Sequence, residues 1–158
     1  MNIYITADDI GTTTGGGQVT GNELEAFKHL ERLSGSSIDT VSVIGPNRPL
    51  ADDPFLQDQQ TKAQLPSMAT KQSIKLTHLY AGCFGETVKV LKAMGSKVTY
   101  TCAAHDVEIS KREHALFDVD FDYPHLVDPV LFDKYVQGYR DADVLICPSQ
   151  LAATVCRK

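Results

Sequence analysis

Three consecutive glycines, Gly15, Gly16 and Gly17, are the residues of this sequence with the clearest capacity to bind a ligand. They follow a short β-rich run and precede a helical pattern that is predicted to begin near residues 19–22. Glycines in a loop expose backbone N–H groups, and the positive end of the following helix favours an anion such as a phosphate. This order of strand, loop and helix is typical of nucleotide- or phosphate-binding α/β domains. The alternative is a plain flexible turn, but the position after the first strand favours a ligand site at the triplet, with Gln18 beside it.

The triplet matches neither of two specific phosphate-binding motifs. No Lys-Ser or Lys-Thr pair follows it, so the segment is not a P-loop. A dinucleotide fingerprint would need a glycine where Thr20 stands, and the second predicted strand, residues 40–44, does not end in an acid for a ribose. A nicotinamide-dependent enzyme is therefore disfavoured.

Two adjacent carboxylates, Asp8 and Asp9, follow the first predicted strand. Paired carboxylates at such a place could hold a divalent metal in a phosphohydrolase. The alternative is a turn in which the aspartates bond to the backbone. We favour the turn, because a metal site needs more carboxylates at the same edge and the sequence offers only Asp106 there. No metal and no cofactor is predicted.

A histidine and an aspartate, His105 and Asp106, follow the fourth predicted strand. At the end of a buried strand the imidazole could donate a hydrogen bond to a ligand, and Asp106 could cap the next helix. His105 is therefore the candidate catalytic residue. His78 lies within a strand and is predicted to be a packed core histidine. No Ser/His/Asp or Cys/His set can be assembled.

In the surrounding sequence, predicted strands alternate with predicted helices about five times. This alternation predicts one α/β domain over residues 1–158, with a mainly parallel sheet covered by helices on both faces. Such a fold is a Rossmann-like three-layer sandwich. Ligands of such sheets bind at the carboxyl ends of the strands. The residues that should line this edge are the predicted substrate- or donor-binding set: Gly15, Gly16, Gly17, Gln18, Tyr80, Gly82, Asp106 and Ser149.

The first helix has a broad apolar face on a helical wheel, and that face is predicted to be buried. It comprises Val19, Ala26, Phe27, Leu30 and Leu33. Glu23 falls inside this face. It is either a first-turn acid favoured by the helix dipole or a side chain that points into a site.

Composition excludes several classes of protein. Of 158 residues, 42% are hydrophobic and 22% are charged, which is ordinary for a globular domain. The net charge of −5 offers no basic field for nucleic acid.

The four cysteines have no CxxC spacing and are predicted to be buried thiols. No apolar run is long enough to span a membrane, and no signal peptide is recognisable, so a cytoplasmic location is expected; nothing basic and amphipathic supports membrane contact.

Three segments together resemble retaining glycosyltransferases of the GT-B type, family 4. Residues 1–33, with the glycine triplet and then Asn-Glu-Leu, resemble the opening of that family's first domain. Residues 99–106 resemble its strand and histidine loop, and residues 142–149 resemble the "ADxVIxxS" strand before that domain's last helices.

The resemblance implies a hexosyl-type transferase that moves a sugar from a nucleotide-sugar donor to an acceptor. It also implies that the glycine loop approaches the donor diphosphate and the acceptor, and that His105 touches the transferred sugar. In that family a C-terminal nucleotide-sugar domain holds most of the donor site, and these 158 residues hold the N-terminal, acceptor-side domain alone. We therefore expect them to fold without transferring sugar. The alternatives are the metal-dependent phosphohydrolase using Asp8 and Asp9, and a non-catalytic Rossmann-like binding module.

Overall fold

The computed structural model of the chain describes residues 2–6, 15–35, 38–42, 54–69, 73–80, 82–102, 111, 115–117 and 127–155. In these ranges strands and helices alternate. The strands are β1 Asn2–Thr6, β2 Ile38–Ser42, β3 Leu76–Tyr80, β4 Lys97–Thr101 and β5 Val144–Ile146. The helices are α1 Gly15–Ser34, α2 Pro54–Ala69, α3 Gly85–Ala93, α4 Pro129–Asp141 and α5 Gln150–Val155.

The strands form one sheet in the order β2-β1-β3-β4-β5, and every neighbouring pair is parallel. This is one of the two common strand orders of doubly wound α/β sheets, in which the order reverses between the first and the third strand. The predicted fold class, a Rossmann-like α/β sandwich with a mainly parallel sheet, is therefore confirmed.

One face of the sheet is apolar because alternate residues of a strand point to the same side. Ile3, Ile5, Leu79, Val98 and Tyr100 are buried there. Side chains from α2 and α3 cover them and complete the main core, namely Leu65, Phe84, Val88 and Leu91. The residue spacing predicts a buried stripe on α3, and the structure buries it, with Met94 only partly buried: Phe84, Thr87, Val88, Leu91 and Met94. Gly95 ends this helix with a φ of +81°, a conformation that glycine adopts without strain.

Helix α4 lies on the same side as α3, and its start confirms the prediction that Asp128-Pro129 opens a helix, with a cap followed by proline. The Asp128 carboxylate accepts hydrogen bonds from the backbone N–H groups of Val130 and Leu131, and Pro129 follows the cap. Gly138 lets this helix approach closely, because a Cβ atom there would lie 3.0 Å from the Tyr100 ring and 3.1 Å from the Phe84 backbone. The ring of Tyr139 packs on Tyr100 at 4.5 Å.

Helix α1 covers the opposite face of the sheet, and only part of its predicted apolar face is turned inward, where Phe27 packs on the sheet. Val19, Leu30 and Leu33 of the predicted apolar face are 41%, 53% and 72% exposed. Thr20 is buried and Glu23 points to the sheet. The reason is that the sheet face beneath α1 is itself polar, so polar side chains of the helix turn inward.

Candidate functional site

The carboxyl ends of β1, β3, β4 and β5 lie along one edge of the sheet, which we call the rim. Thr6, Tyr80 and Thr101 are the last residues of the three central strands and are in register with one another. All three are buried. The expected common edge for the predicted ligand-binding residues is therefore present.

The glycine triplet is helical, and the prediction that α1 begins near residues 19–22 is wrong. Gly15, Gly16 and Gly17 form the first turn of α1, and Gln18 is exposed just after them. The first backbone N–H groups of a helix have no partner within it, so the triplet presents these donors at the positive end of a 20-residue helix. Glycine in a helix costs about 0.5–1 kcal/mol relative to alanine, which is why the pattern favoured a loop.

The start of α3 offers a contrast, because a side chain of the protein already occupies it. Both carboxylate oxygens of Asp58, in α2, accept hydrogen bonds of 2.8 Å from the backbone N–H groups of Glu86 and Thr87. The Thr87 hydroxyl donates in return to the Asp58 carbonyl oxygen at 3.2 Å. The anion-binding capacity of α3 is thus satisfied internally.

A buried polar cluster lies beneath α1 on the sheet. Tyr4, His78 and Thr99 are paired in register on β1, β3 and β4, and Thr101 is two residues beyond Thr99 on the same face. The Tyr4 and His78 rings stack at 5.5 Å, and Phe27 of α1 packs on both rings.

Glu23 is the centre of this cluster. Its Oε2 accepts a hydrogen bond of 2.9 Å from the Tyr4 hydroxyl and lies 3.3 Å from His78 Nε2. Its Oε1 accepts from the Thr101 hydroxyl at 3.1 Å. His78 Nδ1 lies 2.8 Å from the Thr99 hydroxyl oxygen. An ionised carboxylate only accepts, so we assign a proton to His78 Nε2.

Opposing effects set the pKa of Glu23. Burial of the carboxyl acts to raise this pKa, since it disfavours the charged form. The hydrogen bond and the charge interaction with His78 act against burial, as do the hydrogen bonds from Tyr4 and Thr101, and together they hold the pKa of Glu23 below its ordinary value. The cluster is therefore built around a carboxylate anion, which rules out the first-turn role for Glu23, eight residues into α1.

Tyr80 and Gly82, both predicted to bind ligand, lie where β3 leaves the sheet. Tyr80 is buried on the polar face. Gly82 has a φ of +73°, a left-handed conformation that favours glycine, and its carbonyl oxygen accepts a hydrogen bond of 2.8 Å from the Tyr100 hydroxyl. Burial raises the pKa of Tyr100 well above its ordinary value, so this hydroxyl remains a donor.

Ser149 serves as a helix cap at the same edge. Its hydroxyl oxygen accepts a hydrogen bond of 3.1 Å from the backbone N–H of Ala152 in α5. A serine just after Pro148 predicts such a cap, which is confirmed. Ligand binding by Ser149 stays a prediction.

Two thiols meet at the ends of β4 and β5. The Sγ atoms of Cys102 and Cys147 are 3.6 Å apart. Cys102 is fully buried and Cys147 is half-buried. The prediction of buried thiols holds for Cys102 and for Cys83.

The remaining candidates, Asp8, Asp9, His105 and Asp106, lie outside the residues that the structure describes. Their roles stay predictions, including the metal site of the phosphohydrolase hypothesis. Among the described residues, no group of three or more histidine, cysteine or acidic side chains could hold a metal ion. In the same part of the chain, no helix has both the length and the apolar character needed to cross a membrane.

An open cleft of about 440 Å³ lies at the opposite edge of the sheet, by the last turns of α3 and α4. Its cations are Lys89, Lys92 and Arg140, and each is paired with a carboxylate: Glu86, Asp143 and Asp133, respectively. Since these charges are already matched, we place the candidate site at the rim.

Sequence reasoning missed that Glu23 and His78 belong to one cluster. Two signals were available: Glu23 interrupts the apolar face of α1, and Tyr4 and His78 each stand two residues before the end of a strand. Comparisons with known proteins add no further assignment, because no family model, curated protein or solved structure matches the chain.

Proposed function

We propose that this chain is the acceptor-side, N-terminal domain of a retaining glycosyltransferase of the GT-B type, similar to family 4. It would provide one wall of a cleft in which a hexosyl group passes from a nucleotide-sugar to an acceptor. In this proposal the glycine triplet approaches the donor diphosphate, and His105 touches the transferred sugar.

The position of the glycine triplet carries the proposal. Gly15, Gly16 and Gly17 form the first turn of a long helix that follows β1, at the point where the strand order reverses. Ligands of doubly wound sheets bind at this point. The start of α3 is closed by Asp58, so the start of α1 is the better place for an anion.

The buried cluster supports the proposal by fixing α1. Glu23 lies six residues after Gly17, which is about 9 Å along the helix axis at 1.5 Å per residue. Its hydrogen bonds with Tyr4 and Thr101 join α1 to two strands of the sheet. A helix held in this way keeps its first turn at a fixed place on the rim, as a preorganised electrostatic site requires.

The chemistry needs a second wall. The departing nucleoside diphosphate carries negative charge, which fixed donors stabilise strongly only where water is excluded. The N–H groups of α1 are one set of donors, and a separate nucleotide-sugar domain would supply the others. The 158 residues alone are therefore expected to bind weakly and to leave nucleotide-sugars unreacted.

The first experiment titrates the isotope-labelled chain with inorganic pyrophosphate and follows backbone amides by NMR. We expect shifts at Gly15, Gly16, Gly17 and Gln18. The chain contains its own controls. Gly35 and Gly95 end helices α1 and α3 with positive φ angles, where the dipole repels an anion, and their amides should not move. Shifts of equal size at these two glycines, or none at the triplet, would contradict the proposal.

A second experiment separates anion binding from sugar transfer. The chain is incubated with a panel of nucleotide-sugars and candidate acceptor sugars, and released nucleotide is measured. We expect release at the background rate. Robust turnover would show that no second domain is needed, whereas strong Mg²⁺ binding that is lost in Asp8→Asn would favour the phosphohydrolase.

A further inference from the structure

Two cysteines that are distant in sequence stand side by side where β4 and β5 end. Thr101 pairs with Ile146 in the parallel register, so Cys102 and Cys147 are the next residues on the two strands. The backbone N–H of Cys102 donates to the Ile146 carbonyl oxygen at 3.0 Å, which extends the ladder up to the cysteines. Their Sγ atoms are 3.6 Å apart.

We propose that Cys102 and Cys147 are a redox modification site, at which hydrogen peroxide or a related peroxide closes a reversible disulfide between the ends of β4 and β5. This inference does not depend on the proposed glycosyltransferase function.

The backbone already has the spacing that a disulfide needs. Adjacent strands lie about 4.8 Å apart, and disulfide-linked Cα atoms are usually about 4.4–6.8 Å apart. The sulfur atoms must approach by about 1.5 Å to reach the bond length of about 2.05 Å. Rotation of the two side chains about their Cα–Cβ bonds is the movement that the proposal requires.

The two thiols differ in exposure in a way that assigns their roles. Cys147 is half-buried and Cys102 is fully buried. An oxidant from solvent therefore meets Cys147 first. Cys102 is in contact with it and can act as the resolving thiol, which is the usual arrangement of a redox-sensing pair.

The steps balance as follows. The thiolate of Cys147 attacks one peroxide oxygen, the O–O bond breaks, and a sulfenic acid and hydroxide form. The thiolate of Cys102 then attacks the Cys147 sulfur, an S–S bond forms, the S–O bond breaks, and hydroxide leaves. The protons of the two thiols convert both hydroxides to water. The sulfur pair loses two electrons, and the peroxide gains them.

Cys83 provides a matched control. It is as deeply buried as Cys102, but its thiol faces the backbone carbonyl oxygen of Lys134, 3.9 Å away. Burial alone thus does not create the proposed site. The disulfide would form three residues before His105 in the sequence.

The test maps the linkage by mass spectrometry after mild peroxide treatment of the folded chain. Trypsin places Cys102 in the peptide 98–111 and Cys147 in the peptide 141–157, which also contains Cys156. The experiment is therefore done on a Cys156→Ser chain, whose second peptide has one thiol. We expect a cross-linked species of the two peptides, lighter than their sum by two hydrogen atoms and fully separated by dithiothreitol.

Variants and an unfolded sample complete the test. Cys147→Ser should reduce the cross-linked species to background, and Cys83→Ser should leave it unchanged. In urea the preference for the 102–147 pair over pairs with Cys83 should disappear. A chain that resists peroxide, that forms sulfinic acids without cross-linking, or that links only between molecules would overturn the proposal. Because the mapping uses the folded Cys156→Ser chain, it stays decisive if Cys147→Ser fails to fold.

Discussion

The two faces of the sheet are built on different physical principles. The face toward α2 and α3 is a close-packed apolar core around Phe84, whereas the face toward α1 is a hydrogen-bonded cluster around Glu23. The first face gains stability from removing apolar area from water. The second gains little net stability, since its bonds replace bonds to water, but losing one member is costly. The apolar face therefore stabilises the fold, and the polar face fixes α1 at one position.

The largest expected effect is on the apolar face. Phe84→Ala removes a fully buried ring and leaves a cavity between β4 and α3, which should lower the free energy of unfolding by about 3–5 kcal/mol. Phe27→Ala is the matched change on the polar face, where the ring is half-buried. Urea unfolding of both variants measures the difference. An equal loss for Phe27→Ala would show that the two faces are not distinct.

Removal of the central carboxylate should have the next largest effect. Glu23→Ala removes the carboxylate that accepts from Tyr4 and Thr101 and faces His78, and loss of one partner of buried hydrogen bonds costs about 1–3 kcal/mol. Glu25→Ala on the exposed side of the same helix should change the stability much less, because its carboxylate is paired with Lys28 in solvent. Similar losses for the two variants would remove the reason for regarding the cluster as a structural centre.

The pH dependence of stability offers a gentler perturbation of the same cluster. The pKa of Glu23 is lower in the folded chain than in the unfolded chain, so the unfolded state binds more protons in this range. The stabilisation is fully present above the ordinary value of 4.5 and is lost as the pH falls through the folded pKa. The difference in unfolding free energy between the parent and Glu23→Gln, measured down this range, should therefore shrink. A difference that stays constant would show that Glu23 is not the group responsible.

The smallest expected effect has opposite signs for stability and for binding. Gly16→Ala adds a helix-favouring residue to the first turn of α1 and should raise the unfolding free energy by about 0.5–1 kcal/mol. The added Cβ hinders a close approach to the backbone, so the pyrophosphate-induced amide shifts should weaken. Thermal unfolding and the NMR titration measure the two effects. A variant that is more stable and binds equally well would argue that the triplet is only a helix start.

Much of the fold could be predicted because local signals and tertiary packing agree. The first strand matches its predicted bounds of residues 2–6, and β3 and β4 end within one residue of the predicted segments 74–80 and 97–102. The second strand lies two residues before its predicted segment, 40–44. The caps predicted at Asp128 and Ser149 are confirmed. The polar composition of residues 47–72 predicts either a long surface loop or a loop around one short helix near residues 58–64, whereas helix α2 runs from Pro54 to Ala69 and continues through Pro66.

The largest failures concern α1, where tertiary context overrides the local signal. Glycines favour a loop, yet the helix begins at Gly15. A helical wheel shows where the apolar residues are, but it cannot show that the surface beneath the helix is polar. The contact between Glu23 and His78 joins residues 55 positions apart, so no periodicity reports it.

The hydrogen bonds from the start of α3 to Asp58 couple the local unfolding of α2 to that of α3. If α2 detaches from the domain, the N–H groups of Glu86 and Thr87 lose their acceptor at the same moment, although neither belongs to α2. Amide hydrogen exchange at these two positions should therefore report the local unfolding of a helix that lies 28 residues earlier in the chain. In Asp58→Ala the two helices should exchange independently.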